Sequence, residues 1–408
     1  MMKQKPFVEL LAPAGDLEKL KIAILYGANA VYIGGKKFSL RARASNFELK
    51  DIQEGCRFAH RHGAKVYVTM NIIPHEEDFT GVKHYLQSLE KAKVDGIIVS
   101  SMQVAEISKQ VTPNLERHIS TQLSSANSSA VNEYQRMGFS RVVLAREVLP
   151  EDMKQIVCNT TCELEVFIHG GMCVSYSGRC MLSNHLTSRD ANRGGCAHSC
   201  RWNYDLFRKN EIINDKPNFF NIGSKDLVGL QHIFRLISLG IKSLKIEGRM
   251  KSLYYIATVV RCYRLLIDEY TKTGGDESKV DWNFYLREIA KAENRLSSTG
   301  FLGGKPTIQE QLYHTQSEIP TKDFLGIVLK YDGRSKIATI EQRNYFSVGD
   351  IVEFFGPKLT NTQMQISKMM DENKEPLDVA RHPLQIIKIK VPFKLSPFDM
   401  MSKVEKVE

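Results

Sequence analysis

From Val8 onward, short apolar runs rich in β-branched residues alternate with longer segments whose apolar residues recur every three or four positions. Switching between a period of two and a period of 3.6 predicts repeated βα units. The expected strands are VELLA (8–12), AVYI (30–33), KVYVTM (65–70), GIIV (96–99), HIST (118–121), RVVL (141–144), ELEVFI (163–168) and SLKI (243–246). The spacing predicts helices over 16–26, 49–62, 80–94, 102–110, 128–137, 151–157, 226–239 and 252–271, the first capped by Asp16. Eight such pairs within residues 1–272 have the rhythm of an α/β fold of the (β/α)8, TIM-like barrel type. An open doubly wound sheet produces the same alternation. The count of eight favours closure, and no G-x-G-x-x-G follows an early strand.

One connection breaks the rhythm. Residues 170–225, after the seventh strand, are far longer than a βα loop requires, and loops of that length are usually functional. Part of it, 203–221, reads as a hairpin because YDLF and NFFNI flank a polar turn. Residues 273–320 read as a helical linker, with TGGDES and SSTGFLGGKP on either side of a helix over 281–296. Over 321–408 the pattern changes to short alternating strands with Asp-Gly and Gly-Asp turns, which predicts a small C-terminal antiparallel β-barrel.

No run approaches eighteen apolar residues and the N-terminus lacks the zones of a signal peptide, so the chain is expected to be soluble and cytoplasmic, with no membrane partner. Net charge is +10, and residues 1–272 carry all of the excess, 37 Lys+Arg against 27 Asp+Glu. That distribution directs attention to an anionic partner of the barrel.

Four of the eight cysteines fall within the long connection, as Cys173, Cys180, Cys196 and Cys200, spaced C-x6-C-x15-C-x3-C. In a reducing compartment clustered thiols point to a metal rather than to disulfides. Soft thiolates select iron-sulfur clusters or zinc, and the spacing leaves both open. Structural zinc sites usually show a close pair at each end, whereas only Cys196 and Cys200 are close here. Cys56 and Cys262 fall on apolar helical faces and read as core residues, while Cys158 and Cys162 are alternative ligands. A cysteine nucleophile would need a histidine base. His169, His185 and His198 lie in the stretch, but no spacing fixes such a pair, and H-E-x-x-H and G-x-S-x-G are absent.

In a barrel the loops after the strands share one face, where active sites of this fold lie. His169, Gln122, Glu247 and Arg146 are strand-end residues and the catalytic candidates. Arg41, Arg43, Arg179, Arg189, Arg193, Arg201 and Arg249 fall on the same loops and suit RNA or another polyanion, as do Lys36, Lys37 and Lys251, each of which singly reads as solvated surface charge. Tyr176, Trp202 and Tyr204 are available for base stacking.

EVFIHGGMCVSYSGRCMLS (165–183), continued by NRGGC (192–196) and CRW (200–202), resembles the signature of the collagenase-like peptidase U32 family. The likeness spans nearly the whole chain through LLAPAG (10–15), STQ (120–122), LARE (144–147) and LKIEGRMKS (244–252). One departure is Gly171, where the family usually carries alanine or serine. The resemblance implies a 4Fe-4S cluster on Cys173, Cys180, Cys196 and Cys200. It is strongest to the branch that carries out oxygen-independent 5-hydroxylation of the tRNA wobble uridine. For that branch it implies prephenate as co-substrate, the tRNA anticodon arm as partner and a possible second family subunit. Other members act on ribosomal RNA or in ubiquinone biosynthesis, and the family name itself implies a peptidase.

Overall fold

The computed structural model describes residues 8–40, 45–214, 220–293, 295–312 and 323–404. Seven parallel strands follow in order: β1 (Glu9–Pro13), β2 (Ala30–Gly34), β3 (Lys65–Met70), β4 (Gly96–Val99), β5 (Glu116–Ile119), β6 (Arg141–Val143) and β7 (Glu163–Gly170). Two short strands, β8 (Phe207–Arg208) and β9 (Glu211–Ile212), and a third, β10 (Asp226–Val228), precede β11 (Ser243–Ile246). The eighth barrel strand is β11, which pairs in parallel with both β7 and β1 and so closes the barrel. The helices that cover it are α1 (Leu17–Leu25), α2 (Leu49–Arg61), α3 (Val82–Lys91), α4 (Met102–Val111), α5 (Ser128–Arg136) and α6 (Pro150–Cys158). Within the long connection lies α7 (Leu182–Thr187), and α8 (Ile233–Leu239) and α9 (Leu253–Thr273) complete the ring. Asp16 accepts a hydrogen bond from Lys19 N at 2.9 Å, the expected cap of α1.

Two elements differ from the periodicity. The segment 226–239 is not one helix. Leu227 and Val228 pair antiparallel with Gly170 and His169 at the end of β7, and α8 starts only at Ile233. Burial of Asp226 beside Arg201, Lys251 and Arg295 holds this extended start, which local patterning cannot register. Likewise, the helix expected over 281–296 ends early, as α10 (Trp282–Ala290), because β12 (Ser297–Ser298) adds in parallel to β10. The hairpin in the connection is β8 with β9, turning through Lys209 and Asn210 at φ 48° and 67°, with Tyr204 bridged to Phe220 outside it.

Compact units divide the chain into Met1–Ile289 with Arg295–Ile319, and Ala290–Asn294 with Pro320–Glu408. The second unit holds β13 (Phe324–Asp332), β14 (Ile337–Gln342), β15 (Phe346–Ser347), β16 (Ile351–Phe355) and β17 (Thr362–Gln365). Its remaining strands are β18 (Met369–Met370), β19 (Pro376–Leu377), β20 (Val379–Ala380), β21 (Ile386–Lys390) and β22 (Met400–Lys403). Eight of these form one antiparallel sheet, a half-barrel around Val328, Ile340, Phe354 and Ile387. Among the described residues no helix is long and apolar enough to cross a membrane.

Candidate active site at the strand ends

Gln122, Arg146, Glu247 and Arg249 meet around one pocket at the C-terminal ends of the barrel strands, with Phe167 and Lys245 in its lining. They come from the ends of three strands, β5, β6 and β11. Ser120 Oγ donates to Gln122 Oε1, and Asn71 Nδ2 approaches the same oxygen at 3.5 Å. Arg249 is buried and donates to Ser39 Oγ at 2.6 Å, Thr69 Oγ1 at 3.0 Å and Asn46 Oδ1 at 2.6 Å. Glu247 Oε2 accepts from Gly171 N at 3.3 Å, and Arg146 Nη1 donates to Gly171 O. The two pocket residues therefore grip the first residue after β7, the root of the cysteine loop.

His169 does not join them. Strand alternation would place it on the same side as Glu165 and Phe167, but the register slips between Lys245 and Ile246, so that Ile246 pairs with His169. Such a bulge re-aims a side chain. The imidazole turns outward onto α9, 3.3 Å from the Tyr263 hydroxyl and packed on Tyr255. Burial, with Lys251 nearby and Glu247 opposing, pushes its pKa down to about 3, so it is a neutral packing residue away from the pocket.

The loop itself is pinned at several points. Glu147 accepts from Ser177 N at 2.6 Å and Ser177 Oγ at 2.8 Å. Asn192 accepts from Cys180 N at 3.2 Å and donates to Cys180 O at 3.0 Å. All four loop cysteines are free thiols. Burial raises the Cys200 thiol to about 11, with Arg201 opposing and the three other loop thiols adding to the rise. Cys173 is raised by burial too, against Ser175 N–H and Arg146, and feels Cys180 and Cys196. The four sulfurs thus share one electrostatic neighbourhood. Among the described residues no three His, Cys, Asp or Glu side chains converge tightly enough to hold a single metal ion.

Cys158 and Cys162 lie at the other end of β7, about 26 Å from the loop at the usual rise per strand residue, so they do not join this set. Cys56 and Cys262 are buried in the helical layer, as their apolar faces suggest. The histidines His185 and His198 are exposed.

The arginines separate by role. Arg193 is a clamp, donating to Asp78 and to Ile73 O at 3.2 Å and lying 3.3 Å from Glu77. Arg189 reaches Cys196 O at 3.5 Å, Arg201 stands 3.9 Å from Asp226, and Arg179 is exposed. Arg41 and Arg43 lie outside the described residues. Lys36 pairs with Glu48 at 2.7 Å, Lys37 is exposed, and Lys251 stands 3.7 Å from Asp226. Tyr176 and Trp202 are exposed, whereas Tyr204 donates its hydroxyl to Ser199 O at 2.7 Å.

Beneath the pocket lies a charged layer that periodicity does not reveal. Arg141 contacts Glu9 at 2.6 Å and Glu165 at 3.3 Å, and Lys245 contacts Glu165 at 2.7 Å. Strands β1 and β6 are not neighbours, so the Arg141 to Glu9 pair crosses the barrel interior. Tyr67 donates its hydroxyl to Glu9 at 2.9 Å. The signal was present in the chain as single charges inside apolar strands: Glu9, Glu165 and Lys245.

Residues 15–312 match the family described as Peptidase family U32, and residues 320–402 match the Peptidase family U32 C-terminal domain. The chain is 46% identical over 408 residues to tRNA hydroxylation protein P1 of Bacillus subtilis, covering 99% of this chain and 96% of that one. It is 35% identical to the 23S rRNA 5-hydroxycytidine C2501 synthase of Escherichia coli over 73% of this chain and 46% of the relative. It is also 30% identical to a protein named collagenase from Porphyromonas gingivalis, over 98% of each chain. With both the barrel and the half-barrel matched, the chain belongs to peptidase family U32.

Proposed function

We propose that this chain is an RNA-modifying enzyme that hydroxylates the wobble uridine of tRNA at C5 without molecular oxygen, using prephenate as co-substrate. A 4Fe-4S cluster would be held by Cys173, Cys180, Cys196 and Cys200 and, when bound, supplies one-electron chemistry. The observation that carries the reading is that Arg146 and Glu247, which line a cation-rich strand-end pocket, both bond Gly171 at the root of the loop that bears the four thiols. The full-length relative named for tRNA hydroxylation supports the choice of RNA.

The donor set is sulfur only, which suits a soft metal group. A 4Fe-4S cluster would take one cysteine thiolate on each of its irons. Four thiols on one loop are the donor set that such a cluster would take.

The chain's own residues do the rest. Glu247 and Arg146 fix the loop root over the pocket, Gln122 offers an amide to a base edge, and exposed Tyr176, Trp202 and Arg179 offer stacking and phosphate contacts for the anticodon arm. A peptidase reading gains no support from His60, His118 and His169, which contact Asp95, Glu116 and Tyr263.

The test is mass spectrometry of tRNA nucleosides from a strain lacking this chain, with and without its Cys173→Ala form restored. Loss of 5-hydroxyuridine, recovered by the native chain alone, is expected. Undiminished 5-hydroxyuridine in a strain with no second pathway would reject the reading.

A further inference from the structure

Lys245 has no part in the site as predicted from sequence, yet its position is unusual. It stands on β11, 4% exposed, with its ammonium 2.7 Å from Glu165 Oε1. An ammonium has three donor hydrogens, and that contact takes one. Its other close neighbours are aromatic faces, Tyr32 with its centroid at 4.6 Å and Phe167 at 5.3 Å. Arg146 approaches the same Phe167 ring, with its guanidinium carbon 3.9 Å from the centroid, and its Nε is buried without a hydrogen-bond partner. Lys245 on β11 and Arg146 in the loop after β6 therefore face one pocket wall with donor hydrogens unused. Buried donors without acceptors are costly unless a ligand supplies them.

Charge points the same way. Below the pocket, Glu9 and Glu165 balance Arg141 and Lys245. At the pocket, Arg146 and Arg249 face the single carboxylate of Glu247, which leaves an excess of positive charge. The space is about 80 Å³, several times the ~10–15 Å³ that holds one water. That admits a carboxyl group and a few attached atoms. A sugar-phosphate chain would not reach an ammonium buried this deeply.

We infer that Lys245 and Arg146 bind the carboxylate of a small organic acid against the Phe167 ring, with Glu165 as the positioning residue that aims Lys245. This rests on the proposed function, for which it names the residues that take the co-substrate. The arrangement also separates two anions, with the acid at the barrel floor and the RNA phosphates at the exposed loop.

Calorimetric titration of the full chain with prephenate, inorganic phosphate and an anticodon stem-loop RNA tests this. Lys245→Met alone would leave Glu165 with Arg141 alone and the layer with an excess negative charge, so it is paired with Glu165→Gln, which keeps the layer neutral. The acid is expected to bind the native chain, to bind K245M/E165Q and Arg146→Met at least tenfold more weakly, and to regain affinity in Lys245→Arg. RNA affinity should stay within twofold in K245M/E165Q, which leaves the loop root untouched. Acid affinity unchanged in both weakened variants would overturn the inference, as would phosphate binding as tightly as the acid or RNA affinity falling in parallel in K245M/E165Q. If the native chain binds the acid through these residues while cells lacking it keep 5-hydroxyuridine, the proposed function fails and this site stands. Normal hydroxylation with an unaltered KM for the acid in K245M/E165Q would overturn this site and leave the proposed function standing.

Discussion

Asn192 and Cys180 exchange two hydrogen bonds, side-chain amide to backbone carbonyl and backbone amide to side-chain oxygen, at 3.0 and 3.2 Å. One residue of the loop thereby fixes the backbone that carries a proposed cluster ligand, twelve positions earlier. Replacing Asn192 by Ala removes both bonds at a cost of about 1–3 kcal/mol. Anaerobically prepared Asn192→Ala protein should hold less iron per chain and lose it faster on exposure to a chelator than the native chain. Equal iron content and equal loss rates would show that the clamp is not needed to present Cys180.

His169 should make the fold acid-sensitive. Burial, aided by Lys251 and opposed by Glu247, holds its folded pKa at about 3, below an unfolded value of about 6.5. As pH falls the unfolded chain takes up the proton first. The contribution is therefore complete above about pH 6.5 and declines towards pH 3 at roughly 1.4 kcal/mol per unit. Urea midpoints at pH 7 and pH 5 should converge in His169→Gln relative to the native chain, and identical pH slopes in the two proteins would contradict this account.

Removal of Arg141 tests the layer under the pocket. Its guanidinium serves Glu9, Glu163 and Glu165 at 2.6, 2.8 and 3.3 Å, two of them buried. Arg141→Met leaves the buried Glu9 carboxylate without its cation and should cost about 3–5 kcal/mol. Chemical denaturation measures it, and a loss under 1 kcal/mol would mean that water reaches the barrel interior.

At Gly170 the chain turns from strand into loop with φ 107°, and a Cβ would lie 2.5 Å from Glu247 O and 2.8 Å from its Cβ. Backbone strain and the contact both oppose a side chain there. Gly170→Ala should lose about 2 kcal/mol or more, and hydroxylation with it, because Glu247 must shift. A neighbouring control is Gly178→Ala, where φ is 80° but nothing lies within 4 Å, so only the strain remains. Comparable losses at both positions would remove the role assigned to Glu247.

By itself the sequence determined the eight βα units, the strands KVYVTM, GIIV and SLKI to the residue, the placement of the cysteine loop after β7 and the gathering of Gln122, Arg146, Glu247 and Arg249 on one face. These follow from local periodicity and from the rule that loops after barrel strands share an end. Only the tertiary structure decided that His169 faces α9, because a one-residue bulge reverses the side to which a strand residue points. The same holds for Arg193, whose partner Asp78 lies 115 positions earlier, and for Arg141, which meets Glu9 across 132 positions. Pairings of that kind exist once the barrel closes, and no local pattern of polar and apolar residues encodes them.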